Sequence, residues 1–129
     1  MADYTFSRTL DADLATAEAR ATAALKDEGF GILTEIDVQA TLKTKIDVDV
    51  PGYKILGACN PPLAHKAMQA EPRIGVMLPC NVILRDLGDG RTEVAAVDPV
   101  ASMAAVDNAG LGEIADEVRE RLRRVVAAL

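Results

Sequence analysis

The residues best equipped for chemistry in this chain are two cysteines and a single histidine, and they are grouped. Cys59, Asn60 and a proline pair precede His65 in GACNPPLAHK, residues 57–66, and half of the pattern returns as LPCNV, residues 78–82. A thiolate attacks electrophiles and ligates metals, whereas a neutral thiol behaves as a small hydrophobe. The surroundings of each sulfur therefore decide its role. Asn60 followed by Pro61 and Pro62 reads as a helix N-cap and a first turn that needs no amide donors. Cys59 then ends a strand one residue before that cap, where the positive end of the helix would favour the thiolate. Cys80 follows Pro79, which cannot donate to a β-ladder, so an edge or bulge is expected to re-aim the second thiol. On this reading Cys59, Asn60, Cys80 and Asn81 wall one pocket at adjacent strand ends. Cys59 is its reactive thiolate and Cys80 the resolving or second thiol.

The same atoms offer a second chemistry. Cys59, Cys80 and His65, with Met68 and Met77 nearby, are ligand types that suit copper(I), and an axial histidine would serve haem. A conventional enzyme finds little support. The sequence holds no G-x-S-x-G, P-loop or dinucleotide fingerprint, and the cysteines are not spaced C-x-x-C. Glu35 and Asp37 share a strand, but Asp37 is better placed to cap the following helix and Glu35 to pair with Lys54. The functions that follow are a binding module using thiols for redox sensing or sulfur handling, a copper or haem binder, or a structural dimeric scaffold without thiol chemistry.

Elements of ordinary kinds must position these residues. Residues 3–9 alternate as a strand, Asp11 offers a cap, and Leu14, Ala17, Ala21 and Leu25 recur at helical spacing over 12–28, with Gly29 as the stop. A strand is expected over 30–38, a short helix in QATLKTK, a strand over 53–59 and a helix in PPLAHKAMQA. Residues 74–87 have the composition of a strand pair, GDG at 88–90 is a hairpin turn, and RTEVAAV returns. Asp98-Pro99 opens a short helix near 99–105, and Leu111, Ala115, Val118, Leu122 and Val125 lie on one stripe of a helix over 108–129. The sum is a single two-layer α+β domain over residues 1–129. Its mainly antiparallel sheet of about five strands carries two long helices on one face, with short connecting helices. No third layer covers the far face, which favours self-association.

Composition narrows the class. The net charge of −6 and the absence of Trp disfavour binding to nucleic acid. No apolar run reaches the ~18 residues of a membrane span, and MADYTFSRTL does not read as a signal peptide. The expectation is a cytoplasmic protein with reduced thiols.

EGFGILTEIDVQATLK (28–43), YKILGACNPPLAHKAMQAEP (53–72), IGVMLPCNV (74–82), AVDP (96–99) and LGEIADEVRERL (111–122) resemble the family called domain of unknown function 302. The resemblance is collinear over nearly the whole chain, and CNPPLAH and LPCN are its longest strings. It implies an α+β fold with helices on one side of a sheet and a tendency to dimerise, and it implies no established reaction. Companionship with sulfur, redox and metal-handling proteins is implied too, which makes a small molecule or a sulfur-carrier protein the expected partner besides a second copy.

Overall fold

The computed structural model describes residues 3–129. Alternation in TFSRTL forms strand β1 (Thr5–Leu10), and helix α1 (Leu14–Asp27) follows. Its N-cap is Asp13, whose carboxylate accepts from the Thr16 amide at 2.8 Å, so Asp11 is not the cap and the helix starts later than its spacing suggests. The reason is that the chain is still engaged beside the sheet. Leu10 and Ala12 are buried, and the Ala12 carbonyl accepts from Thr92 Oγ1 at 2.9 Å. Gly29, at φ +85°, ends the turn that closes α1.

Strand β2 (Gly31–Asp37) runs directly into helix α2 (Val38–Ile46), capped by Asp37 through the Ala40 amide at 3.0 Å. Strand β3 (Tyr53–Cys59) leads into helix α3 (Pro61–Ala70). Strands β4 (Cys80–Gly88) and β5 (Arg91–Val97) form a hairpin, with Gly88, Asp89 and Gly90 all at positive φ. Helix α4 (Pro99–Ser102) is shorter than expected, and a 3₁₀ turn at Ala109–Leu111 precedes helix α5 (Gly112–Ala127).

The segment before β4 departs most from expectation. Residues 74–77 are a 3₁₀ turn, not a strand, and Pro79 lies outside the sheet after a cis Leu78–Pro79 bond. Local bonds win there. The Ile74, Val76 and Leu78 amides donate to carbonyls of Glu71, Arg73 and Gly75, so these amides are not free for a ladder.

The sheet is antiparallel throughout in the order β1-β5-β4-β3-β2, which makes β4 the central strand instead of an edge. Leu56, Val82, Leu84, Val94 and Ala96 face α1 and α5 and form the main core with Leu25 and Leu122. Arginine ends of α5 tie it back to the α1–β2 junction, where Arg124 meets Glu28 at 2.8 Å. Lys54 joins β3 to α1 and β2 through Glu18 at 2.8 Å and Glu35 at 2.6 Å. These two partners hold the ammonium proton, so the Lys54 pKa is raised. A smaller apolar cluster of Ala67, Ile74, Met103, Leu111 and Ala115 joins α3 to the start of α5. On the other face of the sheet the register sets Ile36, Ile55, Ile83, Ala95 and Ser7 in one row across all five strands. No helix among the described residues is long and apolar enough to cross a membrane.

Candidate functional site

Where the main core meets the smaller cluster, small side chains leave room. Ala58, Ala64, Ala67, Gly75 and Ala115 line a hollow of about 280 Å³, walled further by Phe30, Leu63, Pro79 and Val118. It lies at one end of the sheet, beside the start of β2, the end of β3 and the start of β4, under α3. Leu33 and Met68 line it while 65% and 46% exposed, so the hollow opens to solvent between them. Val76 and Met77, next in sequence to the lining residue Gly75, are also exposed.

Both cysteines line the hollow, Cys59 half-buried and Cys80 buried. Alternation alone would separate them. Cys80 pairs with Ala58, so Cys59, one residue further along β3, belongs to the opposite pleat. They share the hollow because it wraps the strand ends. Asn60 lines it as well, whereas Asn81 pairs with Gly57, is exposed and is not part of the wall. His65 also stands apart. Leu63 and Ala67 turn the buried side of α3 inward, and a residue two positions from each lies on the far side of the helix. Among the described residues no three side chains of histidine, cysteine or acid type gather as a metal site. The set Cys59, Cys80 and His65 therefore does not assemble.

The setting of Cys59 does not favour the expected thiolate. Burial raises its pKa, because the charged form would lose water in an apolar wall. The helix start offers no compensation. Pro61 and Pro62 have no N–H, the Leu63 amide donates to Asn60 Oδ1 at 3.3 Å, and the Ala64 amide donates to the Asn60 carbonyl at 2.9 Å. The backbone donors of the first helical turn are thus missing or taken. Cys80 is pushed up to about 11 by burial first, and then by the charge Cys59 would carry. Two neutral sulfurs in an aliphatic wall bind soft, apolar matter better than they attack electrophiles.

The sequence reading expected a pocket at Cys59, Asn60 and Cys80 but missed the apolar wall that α3 and α5 add to it. Its signal was the run of alanines at 58, 64, 67 and 115 on positions that face inward, which leave volume that Leu or Ile would fill.

The family described as Domain of unknown function DUF302 matches residues 6–129. A crystal structure described as an uncharacterized conserved protein DUF302 from Bacillus stearothermophilus superposes with a TM-score of 0.90. The two sequences are 24% identical, and the alignment covers 98% of each chain. Comparison with curated proteins gives no match. A match over almost the full length, together with the shared architecture, establishes that this chain belongs to the DUF302 family.

Proposed function

We propose that this protein is a small binding module whose hollow beneath α3 receives an apolar guest, with Cys59 and Cys80 serving as soft wall atoms. The observation that carries this reading is the hollow itself, about 280 Å³, almost wholly apolar and open at one side. Sites for small ligands are concave, mainly apolar and furnished with few polar groups. Asn60 is the polar group set in this wall. The neutral state of both thiols favours binding over thiolate chemistry.

Ala67 supplies the test. It is 2% exposed and lines the hollow from α3, so Ala67→Leu fills the space from a helix position that accepts leucine. Heptane titrated into the protein, followed by amide NMR shifts, is expected to perturb residues around the hollow in the wild type and not in Ala67→Leu. Equal responses in both proteins, with the variant folded, would sink the reading.

A second copy of this chain is the partner that the uncovered sheet face fits. Ile83 sits mid-row on the central strand between Ile55 and Ala95, and both isoleucines are half-buried. Glu93, the acidic residue beside this row, is paired with Arg85 at 2.6 Å. Two such faces can meet without opposing unpaired acids, despite the net charge of −6.

A further inference from the structure

We infer that the guest of the hollow is an uncharged fused-ring aromatic molecule, held among the sulfur-bearing side chains of Cys59, Met68, Cys80 and Met103. The inference rests on the reading of the hollow as a ligand site and specifies the chemistry of the ligand.

Sulfur is concentrated around this space. The chain has two cysteines and four methionines, and both cysteines and two of the methionines line the hollow. They come from separate places in the fold. Cys59 ends β3, Cys80 begins β4, Met68 belongs to α3 and Met103 follows α4. Sulfur-bearing side chains thus border a guest from several elements at once. Filling of the interior accounts for Met103, which is buried in the smaller apolar cluster. It does not account for Met68, which lines the hollow from the mouth, where solvent reaches it.

Thiol and thioether sulfurs are soft and polarizable, and they gain more from contact with an aromatic ring than from a saturated one. Phe30, the aromatic residue among those lining the hollow, adds ring-to-ring contact. Burial raises both thiols above their ordinary range, so they stay neutral and no fixed negative charge opposes the electron-rich face of a ring. Among the described residues no lysine, arginine, aspartate or glutamate lines the space, so a charged guest would find no counter-ion there.

Size sets the number of rings. An apolar cavity of ~150 Å³ takes up benzene. This hollow, at about 280 Å³, is larger and open at one side, which leaves room for a second fused ring.

Naphthalene and cis-decalin share a two-ring, ten-carbon skeleton and differ in aromaticity. Each is supplied to the protein from a hexadecane layer at the same mole fraction, which cancels the cost of leaving water, and binding is read from amide NMR shifts. In the wild type naphthalene is expected to bind about tenfold more tightly than decalin. Met68→Leu combined with Met103→Leu exchanges both thioethers for hydrocarbon of near-equal volume. There the preference is expected to fall below about threefold, while decalin affinity changes less than about twofold. Met68→Leu alone, at the mouth and away from the packed interior, is expected to lower the preference about twofold. Equal binding of the two probes, a preference for decalin, or a preference unchanged in both variants overturns this inference. Heptane binding without either ring probe overturns it too, and leaves the hollow as an aliphatic site. Failure of all three to bind overturns the reading of the hollow as well.

Discussion

Pro61 and Pro62 decide how Cys59 behaves. A strand end facing a helix start is a favourable place for an anion only when the helix brings amides, and here its first two residues have none. The other sulfur yields a prediction with a definite sign. The folded protein raises Cys80 from an ordinary 9.0 to about 11, so it holds that proton more tightly than the unfolded chain. This contribution to stability is complete below pH 9 and disappears as the pH rises through about 11, with an amplitude of about 2–3 kcal/mol. Denaturation measured across that window is expected to show stability falling, with a shallower fall in Cys80→Ala. Parallel slopes in the two proteins would show that Cys80 ionises as freely folded as unfolded. At this scale the sequence spoke clearly about caps and poorly about directions. Asn60, Asp37 and Asp98 were legible as caps because a side chain three residues or fewer from a free amide acts locally. Asn81 and His65 were misplaced because their orientation depends on the phase of a pleat and of a helix. Adjacency to Cys80 and spacing from Leu63 already held that phase.

At the scale of elements, the order of strands and helices could be read from periodicity, and the errors fell where short-range bonds competed with it. Residues 74–79 are apolar enough for a strand, yet the 3₁₀ turn and Pro79 consume or lack the amides a ladder requires. Nothing in local composition placed β4 at the centre of the sheet, since strand order is set by tertiary packing. That central placement gives Gly57 its importance. Its strand, β3, has neighbours on both sides, and a Cβ there would collide with Thr34 Oγ1 and lie 2.7 Å from Pro79 Cγ. Gly57→Ala is expected to cost about 1–3 kcal/mol, because the strand pairs on both edges leave little freedom to shift. Gly31→Ala on neighbouring β2 meets nothing within 4 Å and serves as the control, with a change within about 0.5 kcal/mol. Urea titrations of both variants check this. Equal midpoints would mean that the Thr34 and Pro79 side chains yield easily.

For the whole molecule, the α+β class and the helices on one face followed from two long amphipathic segments and five short strands. A pocket at the strand ends was expected from the cysteine motifs, but its apolar volume was not, because that volume arises where two packed regions fail to close against each other. The uncovered row through Ile83 carries the prediction that belongs here. Wild-type protein at micromolar concentration is expected to sediment as a dimer and Ile83→Lys as a monomer with unchanged circular dichroism. A wild-type monomer would remove the sheet face from the list of interfaces.

The division of the interior into a large and a small cluster has a thermodynamic corollary. The lesser one, centred on Ile74, Met103 and Leu111, has few residues to hold α3 and α4 in place, and the vacant space lies along its boundary with the greater. A molecule lodged there touches both sides and acts as mortar between them. Occupancy would therefore stiffen the α3–α4 end of the protein selectively, leaving the β4–β5 hairpin as rigid as before.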